Sequence, residues 1–246
     1  MERPTESRNP RAKNLSALPT REILELLNDE DATVPAAVRG AIPAIERAVD
    51  LVVPALRGGH RLLYLGAGTS GRLGVLDASE MPPTFGVDPE VVVGIRDLGD
   101  HLRPGDVVVG ISASGRAPYV VDAVASAKAE LGAAATVGVT CTPGSALARA
   151  VDVAIVVEVG PEVIAGSSRM KAGTATKLVL NMLSTTAMVK LGRTRDDLMV
   201  DLRATNEKLR QRAIRMVQDE ARVTAEDAEA RLVRAGWHVR AAIDGR

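Results

Sequence analysis

The residues best suited to chemistry in this 246-residue chain lie in short turns that follow apolar runs. After Leu62–Leu65 comes Gly66-Ala67-Gly68-Thr69-Ser70-Gly71-Arg72, a GxGxxG spacing between a predicted strand and a predicted helix. Alone, that spacing fits a dinucleotide, whose ribose would call for an acid such as Asp97 after the next strand. After Val107–Ile111 comes a second such turn, Ser112-Ala113-Ser114-Gly115-Arg116. Together the turns set the hydroxyls of Thr69, Ser70, Ser112 and Ser114, and the backbone N–H groups around Gly68 and Gly115, about one crevice. That arrangement suits a compact anion such as a phosphate monoester at helix N-termini. A dinucleotide needs only one such turn. The plainer reading gives the glycines to turn geometry and the serines to helix capping. Two turns in register favour the phosphate.

Glu80 is the acid that stands out. It closes Asp77-Ala78-Ser79-Glu80 at the predicted end of the first crevice helix, Arg72–Ser79, just before Met81-Pro82-Pro83. Met81 and Phe85 are placed to desolvate it and a bound phosphate would penalise its charge, so a raised pKa and a general-acid role are expected. Most carboxylates at helix ends are simply solvated, which is the competing reading. A third turn, Thr140–Ser145, is small and polar, with Ser145 a candidate helix cap and Cys141 expected to be inert. A fourth brings Glu158 and Glu162 close in sequence to Ser167, Ser168, Arg169 and Lys171. On that edge Glu162 could hold a ligand hydroxyl, unless these charges are only a solvated rim.

These turns need a scaffold. Apolar runs at 62–65, 91–95, 107–111, 136–139 and 153–157 are too short for helices and nearly free of polar residues, as strands buried on both faces are. Helical patterns at 72–79, 118–131 and 145–150 alternate with them, which predicts an α/β, doubly wound parallel sheet. Two helices precede it, near 21–28 and 35–56, and one follows it at 167–191. The expected division is an N-terminal arm over 1–15, a domain over 16–203 that carries the first helices, the sheet and the turns, and a helical segment over 204–246.

Composition narrows the function classes. Lys plus Arg and Asp plus Glu both number 31, so no net charge drives binding to nucleic acid or an anionic membrane. Aromatics are 2% of the chain, too few for base-stacking platforms. Three scattered histidines and one cysteine offer no metal site, and a lone thiol suits a reducing cytoplasm. No run is long and apolar enough for a membrane span.

Several blocks together resemble the N-acetylmuramic acid 6-phosphate etherases. They are Asn28–Asp31, Gly66–Gly74, Asp77–Glu80, Pro82–Gly86, Gly110–Arg116, Gly166–Thr174, Leu178–Ser184 and Leu198–Asp201. The similarity runs from about Thr5 to Lys208 and implies the sugar-isomerase (SIS) fold, shared with the glucokinase regulatory protein. It further implies a homodimeric cytoplasmic lyase of cell-wall sugar recycling, needing no metal or cofactor. Its products would be N-acetylglucosamine 6-phosphate and D-lactate, formed by elimination and then hydration. Glu80 matches the family's proton-donating glutamate, and Thr69, Ser70, Ser112 and Ser114 match positions that line its sugar-phosphate pocket; Gly68, Gly115 and Arg116, in the same turns, are further substrate-binding candidates.

Two departures stand out. The family carries a longer segment between the second and third strands, bearing a second catalytic glutamate; here only Arg96–Asp106 intervenes. Parallel crossovers usually take a dozen or more residues, so a displaced second strand or a distorted topology is expected there. Asp97 or Asp100 could replace the missing base, or Glu80 could serve both steps. The C-terminus is also shorter. Loss of one acid–base group of a pair typically costs ~10²–10⁴-fold in rate. A catalytically impaired sugar-phosphate-binding regulatory protein is therefore the alternative to an active etherase, and a nicotinamide oxidoreductase ranks third.

Overall fold

The computed structural model describes residues 4–95, 98, 101–202, 204 and 206–245. Five parallel strands form one sheet: β1 (Leu62–Gly66), β2 (Val92–Ile95), β3 (Val107–Ile111), β4 (Ala135–Thr140) and β5 (Val153–Val156). Their order is β2-β1-β3-β4-β5. Alternation within β1 shows why its run is wholly apolar. Leu62 and Tyr64 face one layer, formed mainly by α2 (Val34–Arg57), α3 (Thr69–Phe85) and α6 (Lys171–Lys190). Leu63 and Leu65 face the other, under α4 (Pro118–Ala129) and α5 (Ala146–Ala150). Both faces are covered, as a doubly wound sheet requires. Among the described residues no helix is long and apolar enough to cross a membrane.

The expected helix at 72–79 is longer at both ends. It starts at Thr69, directly after the first turn, and runs through Pro82 and Pro83 to Phe85. The prolines remove two backbone donors, but buried Met81 and Phe85 hold that last turn on the core, and Gly86 closes it at φ +64°. Glu80 is thus inside a helix, not at its exit.

The short crossover displaces nothing. β2 pairs with β1 over its whole length, Leu62 opposite Val92 through Leu65 opposite Ile95. The chain reaches β3 on the other side of β1 with no α-helix among the described residues between, and Leu98 and Leu102 pack on the Leu63/Leu65 face. Two leucines do what a crossover helix would otherwise do. The far end is pinned by Asp106, only 1% exposed, which accepts from the Arg61 backbone at 2.9 Å, the Arg103 backbone at 2.9 Å and the Arg61 guanidinium at 2.6 Å. Arg61 also donates to the His101 carbonyl. Asp97 and Asp100, the candidate replacement bases, lie outside the described residues.

The N-terminal arm is fastened down. The Asn9 side-chain amide donates to Glu30 Oε2 (2.8 Å) and to the Pro161 carbonyl (3.2 Å), and the Gly166 N–H donates to the Thr5 carbonyl (3.0 Å). Lys171 Nζ meets the same Glu30 oxygen at 2.6 Å, with both side chains buried. Burial pushes the Glu30 carboxyl up, but the bonds from Lys171, Asn9 and Arg11 outweigh it and hold it below its ordinary value. At the other end α7 (Glu207–Ala221), α8 (Ala225–Arg234) and α9 (Val239–Asp244) share a separate core with Val200 and Leu202. The short α9 forms where the sequence pattern trails off.

Asp106→Ala strands the Arg61 guanidinium and two backbone donors in a nearly dry site. The expected loss is about 3 kcal/mol in urea unfolding, whereas Glu90→Ala, which removes the exposed Arg103–Glu90 pair, should change stability little.

Candidate functional site

In an open parallel sheet the ligand crevice lies where neighbouring strands send their chains to opposite faces. Here that point is β1/β3: β1 leads into α3 on one face and β3 into α4 on the other. Gly66 stands opposite Ile111, so the two turns leave the sheet at one level.

The first turn is shaped by a close approach. A Cβ on Gly71 would sit 2.2 Å from the Gly66 carbonyl oxygen, so the strand end and helix start can pack only as glycines. Gly68 precedes α3 at φ +59° and gives no side-chain cap, which leaves the first N–H groups of the helix, with Thr69 and Ser70, available to an anion. A cavity of about 350 Å³ runs along Gly66, Gly68, Gly71 and Arg72.

The second turn is held rigidly. The Ala113 carbonyl accepts from the Cys141 N–H (2.9 Å), Thr140 Oγ1 (3.2 Å) and Thr142 Oγ1 (3.3 Å). Gly115, at φ +62°, lies so close to Ser145 that a Cβ would be 2.1 Å from its Oγ. Ser112 is buried, Ser114 is half-buried and accepts weakly from the Arg116 N–H (3.4 Å). The helix after this turn starts only at Pro118, so Ser112–Arg116 form a loop rather than a first turn. A cavity of about 270 Å³ is bounded by Ser114, Arg116 and Thr142 and, from the N-terminal arm, by Thr5 and Glu6. The arm's part in this wall has no sequence signal, because the contact spans more than a hundred residues.

Glu162 takes another place than expected. It is 1% exposed, and its oxygens accept the backbone N–H groups of Lys171 (2.9 Å) and Ala172 (3.0 Å), fixing the start of α6. With both oxygens engaged it is not presented as a hydroxyl ligand. Ser145 Oγ accepts from the Ala148 N–H (3.3 Å) and caps α5. Burial, and then the Glu162 charge, push the Cys141 thiol up to about 12.

Glu80 is not brought to the turns within one chain. It lies eleven residues beyond Thr69 along α3, roughly 16 Å at the helical rise of 1.5 Å per residue. Its side chain is exposed, and Met81 and Phe85 point into the core instead of shielding it. It lines a separate cavity of about 400 Å³ between α3 and α6, with Lys177, Asn181 and Thr185 opposite. Below lies Asp77, buried, accepting from the Tyr64 hydroxyl at 3.0 Å. Burial pushes its carboxyl up, against hydrogen bonds to Ser184 and Tyr64 and the charge of Lys177. Lys177 Nζ donates to Asn181 Oδ1 at 2.6 Å, one turn along α6. The i, i+4 spacing of Lys177 and Asn181 was the available signal for this group, but only the packing of α3 on α6 shows what it faces.

A parallel sheet of this order, with hydroxyl-bearing turns at β1/β3, defines a SIS-type protein, and the SIS domain family matches residues 55–186. The family described as the C-terminal lid domain of glucokinase regulatory protein matches residues 196–244. A putative phosphosugar isomerase from Bacteroides fragilis superposes with a TM-score of 0.56 at 22% identity, over 73% of this chain and 95% of its own. Sequence relatives narrow the class. The N-acetylmuramic acid 6-phosphate etherase of Symbiobacterium thermophilum is 51% identical over 97% of this chain and 87% of its own length. That of Caldanaerobacter subterraneus subsp. tengcongensis is 51% identical over 87% of this chain and 77% of its own. The chain belongs to the N-acetylmuramic acid 6-phosphate etherase family. The alignment with the Symbiobacterium protein spans 263 positions, more than the 246 residues available here, so that relative carries residues that this chain lacks.

Because burial keeps its thiol protonated, Cys141 should resist a disulfide reagent at pH 8 in the native protein and react only in denaturant. Prompt native labelling would contradict the closed packing around Ala113.

Proposed function

We infer that this chain cleaves the D-lactyl ether of N-acetylmuramic acid 6-phosphate, giving N-acetylglucosamine 6-phosphate and D-lactate. The observation that carries the reading is the pair of turns at β1/β3, whose hydroxyls, with the uncapped N-terminus of α3 at the first, suit a phosphate monoester, in a chain half identical to etherases over nearly its whole length. Gly68, Thr69 and Ser70 hold the phosphate from one side, and Ser112, Ser114, Gly115 and Arg116 from the other. The pathway assigned is amino-sugar catabolism in cell-wall recycling, in the cytoplasm.

In the open-chain sugar the aldehyde acidifies the proton on C2. Glu80, starting as carboxylate, takes that proton as the C2–C3 double bond forms and the C3–O bond breaks. It then returns the proton to the departing lactyl oxygen, so D-lactate leaves. A water adds to C3 of the unsaturated aldehyde, giving one proton to Glu80, and C2 receives a proton back. The sugar's carbonyl holds the charge throughout. One carboxylate on one face of the sugar can serve both steps, which suits a chain without the family's second glutamate.

The reading calls for two copies. Only three carbon–carbon bonds, roughly 1.5 Å each, separate the phosphorylated C6 from the ether-bearing C3, far less than the span along α3 from Thr69 to Glu80. A homodimer in which the turns of one copy face Glu80 of the other removes that mismatch. α3 and α6 leave Val75, Leu76, Met182 and Val189 exposed for such a contact.

D-Lactate release from N-acetylmuramic acid 6-phosphate tests the activity. Glu80→Gln should lose ~10²–10⁴-fold in rate while still binding the sugar phosphate. Wild-type protein that binds without releasing lactate would select the regulatory alternative, which the absent second glutamate favours. Mixing inactive Glu80→Gln with an inactive variant of the turn, Ser114→Tyr, should restore about a quarter of wild-type activity after subunit exchange, because half of the dimers then carry one intact site. No recovery in mixtures shown to exchange would argue for a site within one chain.

A further inference from the structure

The inferred substrate carries two anions, a phosphate at C6 and a carboxylate on the ether arm, and the turns at β1/β3 account only for the first. The second must lie beside the group that protonates the departing oxygen, because the carboxylate and the ether oxygen share one carbon. The cavity that holds Glu80 meets the need. Of the described charged residues that line it, Asp77, Glu80, Asp196 and Asp197 are acids and Lys177 is the sole cation. Its ammonium has three donors, one of them spent on Asn181 Oδ1, and among the described residues it forms no ion pair. It is half-buried between α3 and α6, where a charge-assisted hydrogen bond gains from reduced solvent.

We propose that Lys177, steadied by Asn181, binds the carboxylate of the lactyl arm and makes the α3–α6 cavity the subsite that distinguishes the ether substrate from the plain amino-sugar phosphate. The surrounding acids sharpen the choice. A carboxylate placed anywhere else in this cavity meets like charge, so the arm has one orientation, with its ether oxygen turned toward Glu80. When the C3–O bond breaks, the leaving group is already held by its far end. The proposal rests on the etherase reading for its substrate, but its test does not need turnover. A simpler role for Lys177, offsetting the buried Asp77 alone, would not depend on which sugar is bound.

The experiment is calorimetric binding of N-acetylmuramic acid 6-phosphate and of N-acetylglucosamine 6-phosphate to the full chain in a Glu80→Gln background, which slows turnover ~10²–10⁴-fold. The ether substrate should bind about 10- to 100-fold tighter than the sugar without the arm. Adding Lys177→Met should abolish that preference by weakening only the ether substrate, and Lys177→Arg should keep most of it. Equal affinities before Lys177 is changed, or equal weakening of both sugars afterwards, would overturn the proposal while leaving the sugar-phosphate site intact. Failure of both sugars to bind the Glu80→Gln protein would instead remove the etherase reading, and this proposal with it. Circular dichroism and thermal unfolding of each variant exclude loss of fold as the cause.

Discussion

The constraint on which this site turns is the stiffness of α3. From Thr69 to Glu80 the helix contains no proline, and it is packed along its length against β1, β2 and α6. The first turn of the helix and Glu80 in its fourth are therefore kept apart by a rod that cannot shorten. Everything else in the site accommodates that separation. Under the proposed function the turns at β1/β3 grip the phosphate without an acid, and the α3–α6 cavity brings Glu80 and Lys177 together without a second such turn. The proposed symmetric pair would join the two ends of the helix across copies.

The grip depends in turn on how little its parts can move. Gly66 and Gly71 touch backbone to backbone, and the second turn is tied to the next strand through the Ala113 carbonyl. Glu162, buried behind it, spends its charge on the first N–H groups of α6 rather than on a ligand. The Asn9–Glu30–Lys171 network brings a remote arm to the same edge, so that the turns are walled as well as shaped. Buried polar groups here act as positioning devices, and among the described residues each buried side-chain polar atom has a partner.

Much of this was legible beforehand. Strands buried on both faces announce themselves as short apolar runs, and all five appear within a residue or two of the expected places. The turns were readable because glycine and hydroxyl residues cluster only where a strand ends. What stayed hidden has a common cause, dependence on distant partners. Pro82 and Pro83 read as a stop, yet Met81 and Phe85 pull the helix through them by burying against residues that local pattern does not reveal. Glu162 read as a candidate hydroxyl ligand because the two backbone partners that occupy it follow by nine and ten positions. Lys177 drew no notice since its meaning lies in what α6 faces, and the large separation of Glu80 from the turns follows only once α3 is seen to be unbroken.

The passage from β2 to β3 has one more implication. Its far end is closed by Asp106 and Arg61 at the foot of the sheet, and its near end by the full pairing of β2 with β1. Between those anchors Leu98 and Leu102 pack on the core, so the described part of the connection belongs to the frame of the sheet. A longer or shorter connection can keep the strand order only if it still covers the Leu63/Leu65 face, which ties any chemical group it carries at the rim of the crevice to the packing beneath.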